Sequence, residues 1–514
     1  MSTPLFDKLR AEGHGAAFEC PITQKVDAFV GYRFVDDVDL MTVGPPTWQE
    51  TAEKMQQAGT SWESGLRCTG GALEVGGGDE KVKSHWVLIS FTWTGRHWEY
   101  QVIDETPAEL VLRDYKGEMR TLTRYDVHHA ERTLGVRLAP DGNNEAEYKH
   151  LVEEIDKWSD NIRSGHLPRR LVWESFTTGL LKKLEYPLPA TTFTKAECDA
   201  MQSRILRTAL PYSGVVRSFP RVVVHGPKRY LGLAIPHPYT TQGIQQVMRA
   251  VIFSSAKRSS GHLFRCSAET MKLEKGMNGP LLSPDFYSYD AMITESWWKA
   301  LWGFLAWYGM SMHDDIPDFP LYHVHDSCIM SEFIAKGYKG SNLCCLNACR
   351  EYLQVIRYSD LLDASGGRFL PELLTGHEQC GLNTDYKWPV RGRPYASDWE
   401  FWKEAVYKTF GQNGGTTPKP AGPWKTRPVH WKVFVSYDLN SLYVYGEDRW
   451  NSYTRLPTYS TRRVSGRYGN GIGCRKPDTD TLLLATVALK GSNYDLLLHS
   501  HVEDFEREQS HPLW

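Results

Sequence analysis

Two adjacent acids, Asp36 and Asp37, close the run Phe34-Val-Asp-Asp37 and are the residues best suited by type and spacing to chemistry. Side-by-side carboxylates repel until a cation neutralises them, and Mg²⁺ takes oxygen ligands by preference. That pairing suits two-metal phosphoryl transfer, in which the ions hold the attacking and the leaving oxygen. The competing reading is an acidic turn on an ordinary hairpin, since so short a pattern arises often by chance.

The flanking residues define the elements that must position the pair. Val30, Tyr32 and Phe34 alternate with Gly31, Arg33 and Val35, the period of a strand with unlike faces. Val38, Leu40, Met41 and Val43 predict a returning strand, so the acids belong at a hairpin tip. Ser2-Thr3-Pro4 opens a helix stopped by Gly13 and Gly15. Thr47-Trp-Gln-Glu50 has capping-box form ahead of a helix with Trp48, Ala52, Met55, Gly59, Trp62 and Leu66 on one face. Residues 84–93 and 97–103 predict a hairpin around Thr94-Gly95, with further strands at 110–112 and 133–138.

From Asn144 the period turns helical, with Tyr148, Leu151, Val152, Ile155, Trp158 and Ile162 in one stripe. A second helix is expected from Pro168 to about residue 184, and Thr194-x-x-Glu197 caps a third. Ile244, Val247, Val251 and Ile252 mark a fourth helix of a bundle with a basic surface. Further helical stripes lie at 297–307, 343–356 and 399–410. Residues 411–423 read as a linker, and short strands follow at 431–437 and 442–445.

Charge is unevenly spread along the 514 residues. The formal net charge is -2, yet residues 1–156 carry 16 Lys+Arg against 27 Asp+Glu, and residues 157–275 carry 19 against 7. A basic block beside an acidic, carboxylate-tipped one is what tracking a phosphate backbone requires. Arg217, Arg221, Lys228 and Arg229 are its candidates for phosphate contact. No apolar run is long enough to span a bilayer and no charged-then-apolar leader opens the sequence, so a nuclear or cytoplasmic, non-secreted protein without membrane contact is expected. Three other constellations read as structural. His313-Asp-Asp-Ile-Pro317 has no strand leading into it. His323, His325, Cys328, Cys344, Cys345 and Cys349 match no standard zinc spacing. Trp297, Trp298, Trp302 and Trp307 fall at helical, core-like intervals.

Taken in order, these pieces resemble the C-terminal part of a reverse transcriptase of the non-long-terminal-repeat retroelement kind. Phe34-Val-Asp-Asp37 is similar to that family's catalytic hairpin, and Thr69-Gly-Gly-Ala-Leu73 with Lys83 to its glycine turn and lysine. Arg132-Thr-Leu-Gly-Val136 resembles the hairpin that grips the primer end, and Arg229-Tyr-Leu-Gly-Leu-Ala-Ile235 a later Gly-Leu element. The likeness covers residues 1–270 best and extends loosely to about 410. It implies RNA-templated DNA synthesis with Mg²⁺. Asp36 would be a metal ligand, Asp37 the second acid, and Lys83 would lie near the incoming phosphates. Gly135 and Arg132 would lie beside the primer. The implied partners are an RNA template, a DNA primer and the N-terminal polymerase portion, because the fingers and the first catalytic Asp have no counterpart here. The alternative is a non-catalytic nucleic-acid-binding remnant or accessory protein. The expected fold is α+β: a partial palm sheet (1–142), a basic thumb-like helical bundle (143–275), a second helical unit (276–410), then a linker and tail (411–514).

Overall fold

The computed structural model describes residues 2–34, 37–44, 47–76, 82–95, 97–321, 323–362, 368–376 and 386–422, and five strand segments beyond them. The chain is α+β, as expected. Helix α1 (Ser2–Ala11) buries Leu5 and Leu9 with Trp62 of α2 (Trp48–Cys68) and with Val30. The Thr47 hydroxyl accepts from the Glu50 amide and donates to its carboxylate at 2.9 Å, closing the start of α2.

The strands before residue 139 pair only as two-stranded ribbons among the described residues. β1 (Ala16–Glu19) pairs β2 (Val26–Phe29), and β3 (Gly31–Phe34) pairs β4 (Asp37–Leu40). β5 (His85–Val87) runs parallel to β10 (Thr123–Tyr125), and β6 (Phe91–Trp93) pairs β7 (Trp98–Tyr100). β8 (Val111–Arg113) pairs β9 (Met119–Thr121), and β11 (Glu131–Thr133) pairs β12 (Val136–Leu138). The single strand expected over 84–93 is therefore split between two ribbons. Trp86 and Leu88 enter a core with Val75, Leu110, Leu112 and Leu122, while Ile89 and Phe91 point outward. The β6–β7 hairpin instead docks on residues 390–395. Trp98 Nε1 donates to Val390 O at 2.9 Å, and Tyr395 Oη donates to Thr94 O at 2.6 Å.

α3 (Glu145–Ser164), α4 (Arg169–Glu174), α5 (Leu181–Glu185) and α6 (Lys195–Tyr212) enclose Leu151, Ile155, Phe176, Leu180, Met201, Ile205 and Leu210. The capping box Thr194/Glu197 forms in full. The helix expected from 168 to 184 is interrupted by a wide π-turn over Ser175–Leu180. At its start the half-buried Trp158 donates from Nε1 to Ser175 Oγ at 3.0 Å. Trp158→Ala is expected to cost about 2–3 kcal/mol in chemical denaturation, short of the value for a fully enclosed ring. A loss under about 0.5 kcal/mol would contradict this packing.

After α7 (Arg221–His225), helix α8 (Pro238–Ser255) packs Val247 against the core but turns most of its aliphatic stripe to solvent. Gln242 and Gln246 are buried, while Ile244, Met248, Val251 and Ile252 are each more than half exposed. The amides explain this orientation. Gln242 accepts from Thr191 Oγ1 and Phe193 N and donates to Phe193 O, and Gln246 donates to Thr191 O at 2.9 Å. The loop 191–193 thereby finds partners for backbone groups that would otherwise be buried alone. α9 (Ser259–Lys275) then clasps the N-terminal ribbon, its Glu269 accepting from Ile22 N and Thr23 N, both at 2.9 Å.

The following helices are α10 (Phe286–Tyr289), α11 (Trp297–Trp307), α12 (Ile329–Ala335), α13 (Gly340–Leu353), α14 (Pro371–Thr375) and α15 (Ala396–Phe410). They share one core around Trp302, Phe333, Leu346 and Trp402. An antiparallel sheet closes the described chain, in the order β13 (Val433–Val435), β14 (Ser441–Gly446), β15 (Arg449–Arg455), β16 (Gly473–Arg475), β17 (Leu482–Leu484). Among the described residues no helix is long and apolar enough to cross a membrane.

Candidate nucleic-acid interface

The β3–β4 hairpin forms in the register that sets Phe34 opposite Asp37, with Asp37 exposed at the head of β4. Asp36 lies outside the described residues. Tyr32 faces Asp39 across the ribbon; burial, then its bond to that carboxylate, raises the phenol pKa. Among the described residues no three His, Cys, Asp or Glu side chains gather to hold a metal. Asp37 alone does not make a magnesium cage, and no catalytic step is assigned to it. Lys83 is exposed; its amide donates to Val75 O at 3.1 Å, and its side chain has no ion pair with a described residue.

The β11–β12 hairpin turns through Leu134 at φ +50° and Gly135 at φ +91°, a tight two-residue turn that calls for glycine at its second position. Tyr186, at the end of α5, donates from Oη to Leu134 O at 2.7 Å and lies against Gly135. Glu147 of α3 accepts from Arg137 N at 2.7 Å. The hairpin tip is thus fixed to the helical bundle, with Arg132 exposed beside it.

The helical surface divides into two kinds of cation. Four on α5 and α6 are neutralised locally: Lys182 by Glu185, Lys183 by Glu154, Lys195 by Asp199 and Arg204 by Asp156. From residue 200 to 268, however, the sequence holds ten Lys and Arg and no Asp or Glu. Arg217, Arg221, Lys228 and Arg229 are all exposed there and form no ion pair with a described residue. Arg169, Arg170 and Arg207 share that condition and were missed by spacing alone. Arg169 lies over Gly214, which joins the start of α4 to the basic loop after α6. The signal that could have found Arg207 was the acid-free run itself; Arg169 and Arg170 lie before that run, adjacent at the start of α4.

That loop is anchored rather than draped. Val224 and Ile235 enter the bundle core, and His225 Nδ1 lies 2.8 Å from Ile235 O. Residues 226–232 form a closed knuckle. Gly232 N donates to Pro227 O at 3.1 Å and Ala234 N to Gly226 O at 2.9 Å. The neck is so narrow that a Cβ on Gly232 would sit 2.0 Å from Gly226 O. Tyr230 and Leu231, 72% and 91% exposed, stand at its tip.

The other constellations are occupied structurally. Asp314 accepts from Leu281 N at 2.7 Å and Ile316 N at 3.1 Å. His323 Nδ1 meets Gly422 O at 2.9 Å, Cys344 Sγ meets Ala291 O at 2.8 Å, and Cys349 Sγ meets Asp398 O at 3.7 Å. Trp298 and Trp302 are core, Trp297 donates to Pro189 O at 2.9 Å, and Trp307 is exposed beside Lys195. Compared with known proteins, the sequence matches no family model, no curated protein and no solved structure.

Proposed function

We propose that this chain is the metal-hairpin, thumb-like and following part of a retroelement reverse transcriptase, and that its own work is to grip nucleic-acid backbones. One observation carries the reading: an acid-free stretch, residues 200–268, whose exposed Arg207, Arg217, Arg221, Lys228 and Arg229 form no ion pair with a described residue. Unpaired guanidinium groups held on a rigid loop are placed for phosphate oxygens, which they bind in bidentate fashion. The order of elements supports the family: an acid-tipped hairpin, a long helix, a Leu-Gly hairpin, then a helical bundle. On this reading the partners are an RNA template and a DNA primer.

Catalysis is a separate matter. Two-metal transfer needs ions about 3.5–4 Å apart with ligands on both sides. The described residues contribute only Asp37 at the hairpin tip, with Tyr32 engaging Asp39 nearby. The alternative, a nucleic-acid-binding accessory without polymerase activity, therefore gains weight for the chain acting by itself. Purified chain is expected to give no primer extension on an RNA template with Mg²⁺. Extension abolished by Asp37→Ala would overturn this and make the hairpin catalytic within this chain.

A further inference from the structure

We infer that the 226–232 knuckle is a stacking site for an unpaired nucleobase, with Tyr230 as its platform. The inference rests on the nucleic-acid reading above and adds to its backbone contacts, which a duplex or a single strand can supply, a site that only an unpaired base can fill.

Several independent features converge on Tyr230. Its ring is 72% exposed, and the Arg229 guanidinium carbon lies 4.8 Å from the ring centroid, holding a cation against it. Tyr230 N donates to Pro227 O at 2.9 Å and Leu231 N to Lys228 O at 3.0 Å, so the backbone beneath is fixed before any ligand arrives. Leu231 holds φ +62°, a conformation that a leucine adopts at a cost, and is almost fully exposed. Folding gains little apolar burial from that display, because Tyr230 and Leu231 are 72% and 91% exposed. An exposed ring flanked by Lys228 and Arg229 is, by contrast, what a single strand requires: a face for the base and cations for the adjoining phosphates. In a duplex the base faces are already stacked on each other, so the ring has nothing to cover. Aliphatic surfaces such as the α8 ridge cannot serve this purpose, since they present no π face.

The test compares fluorescence polarisation of labelled single-stranded oligothymidylate with that of a duplex of the same length, at low salt, using the intact chain. Tyr230→Ala is expected to weaken single-strand binding about 5- to 100-fold, the range for losing one stacked base, and to leave duplex binding within about twofold. Tyr230→Phe keeps the ring and is expected to retain wild-type affinity. Equal losses on both ligands, or none on either, would overturn the stacking site while leaving backbone binding intact. Failure of the wild-type chain to bind either ligand would overturn both readings. The exposed position of Tyr230 makes an unchanged melting temperature the expected control.

Discussion

Binding of the intact chain to a nucleic-acid duplex is expected to weaken about a thousandfold between 50 and 200 mM salt. The figure follows from counting cations that are free to release counterions. Arg169, Arg170, Arg207, Arg217, Arg221, Lys228 and Arg229 are exposed and without an ion pair to a described residue. If six of them meet phosphates, the slope of log affinity against log salt is about -5, which over a fourfold salt change gives about three decades. Lys182, Lys183, Lys195 and Arg204 contribute little on this account, because each already has a carboxylate partner. Titration at four salt concentrations measures the slope. A value near zero would remove the backbone interface.

The second large effect belongs to Arg350 of α13, which is fully buried at the joint between α9 and the second helical core. Its Nη2 donates to Leu273 O at 2.9 Å and Glu274 O at 2.8 Å, carbonyls in the last turn of α9 that the helix itself cannot satisfy. Its Nε donates to Asn347 Oδ1 at 2.8 Å. Burial lowers the guanidinium pKa to about 10, so it remains charged at neutral pH. Buried Glu351 lies 3.5 Å away and also meets Arg391. Arg350→Ala leaves those carbonyls and part of that carboxylate's charge unanswered, and is expected to cost about 3–5 kcal/mol in urea denaturation. Arg350→Lys is expected to recover only part, since an ammonium cannot span the same acceptors. A loss below about 1 kcal/mol would show that water takes over the role.

How far these features could be read from sequence depended on how local their causes were. The cap at Thr194 and Glu197, the stripe through Leu151, Ile155 and Ile162, and the Asp-tipped hairpin register were legible, because each arises within a few residues. The orientation of α8 was not. Ile244, Val251 and Ile252 have the period of a core stripe, but Gln242 and Gln246 are drawn inward by the loop 191–193, some fifty residues away. The break in 84–93 has a similar origin, since the hairpin's partners at 390–395 lie about 300 positions on. In the candidate interface, charge imbalance pointed to the segment that holds these exposed cations. It could not separate paired cations from free ones, nor show that Gly226 and Gly232 pinch a knuckle that lifts Tyr230 into solvent.

The central claim is that unpaired cations of the acid-free block contact phosphates, and one comparison of salt slopes tests it. Arg217, Arg221, Lys228 and Arg229 are all changed to Gln in a single chain, and duplex affinity is followed against salt beside the wild type. Because all four are exposed and without ion pairs to described residues, the melting temperature is expected to stay unchanged. The slope should become shallower by about 3–4, close to one phosphate per residue lost. An unchanged slope with binding intact would place the phosphate contacts elsewhere and contradict the interface described for this loop.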